Sequence, residues 1–152
     1  MMLQTLARDD HATSPKNGAL MSKANVEVVE RFEHAFVRGD MDEVITLLST
    51  DIVVHEAPSL PYAGDHRGIE GFLRLAEAFN GVWAIKSPLD LTFLDAGEDK
   101  VVVLVKYEAE ARATGALLTL PHVEVYTVQD GKITDLDVYY RDTAAILEAT
   151  GG

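Results

Sequence analysis

The stretch LDLTFLDAGEDKVVVLVKYEAEA, residues 89–111, decides what kind of fold this chain makes. Leu89, Leu91 and Phe93 alternate with Asp90 and Thr92, and Asp95-Ala96-Gly97-Glu98-Asp99 then reads as a turn. Val101, Val103, Val105 and Tyr107 resume the alternation against Lys106, Glu108 and Glu110. A repeat of about two residues belongs to strands, whose successive side chains point to opposite faces. The second strand is long and is expected to reach about Ala113.

Working downstream, a third strand is expected over about Leu117–Val128, with Pro121 bending it or marking a bulge. Gln129-Asp130-Gly131-Lys132 is a hairpin signal, and Ile133–Tyr140 returns as the last long strand. Asp142 then caps a closing helix, Thr143–Ala149.

Upstream the period is helical. Val26, Val29, Phe32 and Phe36 form one apolar stripe from Ala24 onward, and Gly39 stands where a C-terminal cap would sit. Asp40 caps a short second helix with Val44, Ile45, Leu47 and Leu48 inward. Asp51–Glu56 reads as a short strand running into a loop marked by Pro58, Pro61 and Gly64. Gly68–Phe79 is a third helix that buries Ile69, Phe72, Leu73, Ala76 and Phe79. Helices first and a strand meander second mean an α+β fold rather than a doubly wound parallel sheet. The expected architecture is a strongly curved mixed or antiparallel sheet wrapped on the N-terminal helices. Such curvature leaves a conical cavity that side chains need not fill.

Bulk properties narrow the function. The 152 residues suit one domain, assigned here to 23–150, and 47% of them are apolar. Residues 1–22 read as a disordered N-terminal tail with a breaker at Ser14-Pro15-Lys16-Asn17-Gly18, and Met21 is a second candidate translation start. The tail lacks the basic and apolar regions of a signal peptide. Thirteen basic against 25 acidic residues give a net charge of −12, which disfavours nucleic acid and anionic membrane surfaces as partners. No apolar run approaches the roughly 20 residues that cross a bilayer. The expected location is cytoplasmic. Without cysteine there is neither a disulfide nor thiolate chemistry.

Several motifs carry a family resemblance. Phe32-Glu33-His34-Ala35-Phe36-Val37-Arg38-Gly39-Asp40 and Leu47-Leu48-Ser49-Thr50-Asp51-Ile52-Val53 resemble the opening of SnoaL-like polyketide cyclase domains. Arg67-Gly68-Ile69-Glu70-Gly71-Phe72 is similar to their second helix signal. Val123-Glu124-Val125-Tyr126, Asp130-Gly131-Lys132-Ile133 and Tyr139-Tyr140-Arg141-Asp142 are similar to their closing hairpin. The motifs run in order from about Ala24 to Leu147. The resemblance implies the nuclear-transport-factor-2-like (NTF2-like) fold, with its pocket for a small apolar ligand. It leaves the activity open, because that superfamily holds isomerases, cyclases, epoxide hydrolases, dehydratases and non-enzymatic proteins.

Glu56 is the first candidate catalytic residue, and the resemblance carries that choice. It lies where a ketosteroid isomerase places its carboxylate base, and an apolar cavity would raise its pKa toward neutrality. A surface glutamate at a strand end is the plainer alternative. His55, a neighbour on the same strand, is expected on the opposite face, so either of the two is open as the inward residue. His122, Glu124 and Tyr126 share one face of the third long strand. Glu124 falls near the position where the resemblance implies a carboxyl kept neutral by apolar burial. The alternative for His122 and Glu124 is cross-strand pairing on a solvated or subunit face. Asp137 and Tyr139 lie in one row of the last strand with Asp135, and Tyr139 is a candidate hydrogen-bond donor to a carbonyl or alkoxide oxygen. Tyr62, His66 and Trp83 are candidate ligand contacts at the entrance, with Trp83 equally readable as a packing residue.

Histidine spacing offers no metal motif, and neither a phosphate loop nor a G-x-S-x-G elbow is present. No metal and no cofactor are therefore expected. The leading reading is a cofactor-independent isomerase, cyclase or hydrolase acting on a small apolar carbonyl compound or epoxide. The rival is a non-enzymatic ligand-binding or dimerisation domain. A homodimer through the sheet is expected, since an exposed row of Val101, Val103 and Val105 would otherwise be an unexplained apolar patch.

Overall fold

Val29, Phe32 and Ala35 are spaced to lie on one side of a helix, and all three are buried. They belong to α1 (Pro15–Val37), the first element of a computed structural model that describes residues 15–152. The tail expected over residues 1–22 lies, for 1–14, outside the described residues. Pro15-Lys16-Asn17-Gly18, read above as a breaker, instead lies within α1 at its start. A proline in the first turn gives up an N–H that has no intrahelical acceptor, and its fixed φ suits a helix. The other end stops at Gly39, whose φ is 75°. Gly39 N–H donates to Phe36 O and Asp40 N–H to Ala35 O, which is the Schellman pattern.

Asp40 caps α2 (Met41–Leu47) by accepting from Glu43 N–H. The chain continues directly into β1 (Leu48–Glu56). The loop expected after it holds a short strand, β2 (Gly64–Arg67), antiparallel to β1. α3 (Gly68–Val82) follows, with Phe72 and Leu75 buried and Leu73 turned outward, contrary to expectation. Then come β3 (Trp83–Ile85), β4 (Asp90–Asp95), β5 (Lys100–Ala111), β6 (Leu117–Gln129), β7 (Lys132–Tyr140) and α4 (Thr143–Thr150), the last capped by Asp142.

One mixed sheet results, in the order β2-β1-β7-β6-β5-β3, with β4 also on β5. All neighbours are antiparallel except β1 and β7. It is strongly curled, and α1 and α3 pack into its concave side. The β6–β7 hairpin closes through Asp130 and Gly131 at φ 51° and 72°, the left-handed pair that a two-residue turn needs.

Two expectations are corrected. Pro121 causes no bulge, and pairing with β5 runs unbroken through Lys106↔Pro121. Its carbonyl accepts from Arg141 N–H, just past the end of β7, so the N–H that proline lacks would point where β7 runs out. The irregularity lies instead between Thr127 and Val128. Val101, Val103 and Val105 are not an exposed row, because they are buried on the concave face under α1. Alternation gave the row correctly but not its face. The convex face carries Val102 and Leu104 from the same strand, with Leu104 43% exposed. Among the described residues no helix is long and apolar enough to cross a membrane.

Candidate active site

Strand register selects the side chains that meet beneath the helices. On β6, His122 lies opposite Val105 and Tyr140, Glu124 opposite Val103 and Val138, and Tyr126 opposite Val101 and Leu136. Opposed residues share a face, so the row buried on β5 brings His122, Glu124 and Tyr126 to the concave side. On β1, Val54 pairs with Leu136 and His55 with Asp137. Glu56, two residues beyond Val54, therefore faces in and His55 faces out.

These strands, with α1 and α3, enclose a cavity of about 320 Å³. Phe32 and Phe36 of α1 and Phe72 and Phe79 of α3 form its aromatic wall, with ring centroids of Phe32 and Phe72 5.9 Å apart. Two polar clusters interrupt the apolar lining.

The first joins α1 to β6. The Tyr126 hydroxyl hydrogen-bonds to Glu33 Oε1 and, at 2.7 Å, to Glu124 Oε2. Glu124 Oε1 lies 2.9 Å from His122 Nε2. Burial, then the nearby Glu124 charge, pushes the Glu33 carboxyl well above its usual value. Burial lowers His122 to about 4, against the pull of Glu33 and the Leu120 carbonyl, so its ring is neutral at pH 7.

The second cluster centres on Glu56. Burial raises its carboxyl to about 8, opposed by hydrogen bonding with Tyr140 and helped by the Glu124 charge. Tyr140 and Tyr107 border the same space, and burial holds both phenols protonated well beyond their ordinary range. Glu56 Oε2 and His122 Nδ1 are the two buried side-chain polar atoms without a hydrogen-bond partner among the described residues. Both residues line this cavity.

The other expected site residues lie elsewhere. Tyr139 is 60% exposed on the convex face, and Asp137 sits beside it there. Asp137 and Tyr139 therefore do not meet His122 and Glu124, because the inward row of β7 is Leu136, Val138 and Tyr140. His55 is also convex, bonded at 2.7 Å to Asp65 and 3.0 Å to Asp135, and the Asp65 bond raises its pKa. Tyr62 and Trp83 are buried in the wall behind the cavity, where the indole N–H donates to the phenol at 3.1 Å. His66 bonds the Tyr62 carbonyl at 2.9 Å and does not reach the cavity. Among the described residues, no group of three or more histidines and carboxylates is arranged to hold a metal ion.

Glu33, Tyr107 and Tyr140 line the cavity although sequence reasoning passed them over. A signal for Glu33 existed. It stands four residues after Val29 and three before Phe36, inside the apolar stripe, where a carboxylate is out of place.

A curled mixed sheet closed by helices over a cavity with two acidic clusters defines an NTF2-like α+β domain. The family model of the SnoaL-like domain matches residues 29–136, and the chain belongs to this family. An NTF2-like protein of Burkholderia xenovorans superposes with a TM-score of 0.76 at 27% identity, over 84% of this chain and 96% of that one. A Mesorhizobium loti structure provisionally assigned as a SnoaL-like polyketide cyclase shares the fold, with a TM-score of 0.64 at 23% identity, over 75% and 97% of the two chains. An uncharacterised protein of Mycobacterium tuberculosis is 27% identical over 126 residues, 80% of this chain and 92% of that protein.

Proposed function

We propose that this protein is a cofactor-free acid–base enzyme of the isomerase, cyclase or hydrolase type. Its substrate would be a small apolar carbonyl compound or epoxide held in the cavity. One observation carries the reading: the two orphaned buried polar atoms, Glu56 Oε2 and His122 Nδ1, both belong to side chains lining one apolar cavity. A buried polar atom without a partner costs about 1–3 kcal/mol, and a catalytic role would explain why both residues are kept there at that cost.

The chemistry follows from the environments. Glu56, with a pKa of about 8, exchanges a proton readily near neutrality. As carboxylate it takes a proton from the carbon beside a carbonyl, and the C–H electron pair moves to form the enolate. The protonated Tyr107 phenol is available to donate to the developing oxyanion, and Tyr140 is released to join it once Glu56 has taken up the proton. Glu56 then returns the proton at the same or another carbon. With an epoxide, protonated Glu56 gives its proton to the ring oxygen as that C–O bond breaks, a water molecule bonds to the carbon so released, and the water's surplus proton returns to Glu56.

The test is deuterium incorporation from D2O into a panel of cyclic ketones and enones, together with hydrolysis of cyclic epoxides, followed by NMR. Turnover of at least one class is expected, with kcat/KM for exchange rising as pH increases through about 8. Glu56→Gln should lower it by about 100-fold or more. Binding of these compounds without any turnover would leave a ligand-binding domain, and unchanged turnover in Glu56→Gln would remove the assignment of the base.

A further inference from the structure

The register of the sheet arranges the cavity wall in tiers. Val54, Leu136 and Tyr126 lie side by side, and the Tyr126 ring is 5.8 Å from that of Phe32, itself 5.9 Å from Phe72. All five are buried and form a floor. The Tyr126 hydroxyl is taken up by Glu33 and Glu124, so this floor presents rings and hydrocarbon. Glu56 stands two residues beyond Val54, and two residues of strand advance about 7 Å. One ring therefore fits between the floor and the Glu56 carboxyl.

The other end is open. Val37, Asn80, Ile85 and Pro88 are the exposed residues of the lining, and they come from the last turns of α1 and α3, the end of β3 and the connection to β4. Val37 is 53% and Ile85 42% exposed. On α1, Val37 lies one turn, about 6 Å, beyond Glu33, and on α3 Asn80 lies about 12 Å beyond Phe72. None of the four carries a charge. Glu56 and Tyr140 thus stand in the middle of the wall, with apolar surface both below and above them. An opening framed by hydrocarbon gains from an apolar chain that crosses it. At about 320 Å³ the cavity also lies at the lower limit of ligand pockets, so a ring with a chain attached overfills it.

We propose that the reacting carbonyl or epoxide of the substrate stands between two apolar parts, a ring that fills the floor and a chain that leaves through the mouth over Val37 and Ile85. This rests on the acid–base reading of Glu56 and adds to it the shape of the substrate. The class is then an aryl or alicyclic ketone, or the corresponding epoxide, prolonged by an alkyl chain on the far side of the reacting group. Val37 and Ile85 determine the specificity for that chain.

Equilibrium dialysis of the wild-type protein against acetophenone, 1-phenyl-1-octanone and 8-oxo-8-phenyloctanoate tests it. The octanone should bind about tenfold or more tighter than acetophenone, a fraction of what complete burial of its six additional methylenes would give. An octanone that binds no better than acetophenone, or not at all, would overturn the proposal. In the octanoate a carboxylate replaces the terminal methyl of the octanone. It should bind within about tenfold of the octanone, because its charged end stays in water. A greater loss would put the chain inside the cavity, where a carboxylate is costly, and would equally overturn the proposal. Val37→Ser with Ile85→Ser should weaken the octanone by about fivefold or more and leave acetophenone unchanged. Equal effects on the two ketones would refute the role of the rim. Leu73→Ser, at an exposed leucine of α3 outside the cavity, should alter neither, and an effect as large as that of the rim pair would also refute it. None of these readouts requires turnover. A protein that prefers the chain but exchanges no deuterium would sink only the acid–base reading, and one that exchanges deuterium without preferring the chain would sink only this proposal.

Discussion

Adjacent residues on one strand meet opposite fates here. Tyr139 lies in solvent on the convex face, and Tyr140 borders the cavity with its ring 5.2 Å from that of His122. Tyr139→Phe should change stability by less than about 0.5 kcal/mol and leave turnover unaltered. Tyr140→Phe removes a donor beside Glu56 and should lower turnover by about 10-fold or more, as steady-state kinetics on the panel compounds would show. Glu56 itself links the site to stability. Its folded pKa of about 8 lies above the ordinary 4.5, so its contribution is complete below about pH 4.5 and is lost as pH rises toward 8. Glu56→Gln has no such loss. Its melting temperature should match the wild type below about pH 4.5 and exceed it above pH 8, with a ceiling of roughly 5 kcal/mol set by that displacement. A gap that stays constant across this range would mean that Glu56 is not desolvated. His122, lowered to about 4, acts in the opposite direction between about 6.5 and 4 and cancels in this comparison.

At the level of elements, local chemistry does most of the work at the ends and tertiary packing at the middles. Asp40 and Asp142 each accept from the backbone N–H three residues on, in the first turns of α2 and α4. Asp40→Ala should lower the urea-derived stability by about 1 kcal/mol, with an unchanged m-value. An unaffected midpoint would show that β1, which continues directly from α2, holds that helix without the cap. The long β5–β6 pair is different, because its eleven opposed residues keep one register through Pro121. No local signal there outweighs the burial of Val101, Val103 and Val105.

On the scale of the whole molecule, the curl of the sheet creates the cavity and also leaves a convex face with apolar content. Leu94 and Leu104 are each 43% exposed there, and Val102, Val123 and Val125 lie around them. The homodimer expected through the sheet would have to use this face rather than the buried valine row. Sedimentation equilibrium should then give twice the 16.6 kDa chain mass, and Leu104→Lys should return the monomer. A wild-type monomer at micromolar concentration would end that expectation.

How much of this was legible in the sequence follows from the range of each interaction. Periodicity, turn glycines and cap residues act over a few positions, so Val29 and Phe32, the Asp130-Gly131 turn and the Asp142 cap could be read directly. These determined the order of the long elements, the α+β class and, with the quoted motifs, the family, but not the short strands β2 and β3. The pairing of Glu124 with His122 on one face was equally legible, since a strand fixes it at a spacing of two. Which face was inward was not. A repeat of two is unchanged when a strand is turned over, and only the register Glu124↔Val138 and Val54↔Leu136 settled that Glu56 and Tyr140 face the cavity while His55, Asp137 and Tyr139 face out. Glu33 reaches Tyr126 across 93 residues of sequence, and no local pattern reports a contact of that range. The sequence by itself determined the family and the elements other than β2, β3 and the start of α1. The tertiary structure alone decided the site, because burial, and with it the displaced pKa values and the orphaned atoms, exists only once α1 and α3 close over the curled sheet.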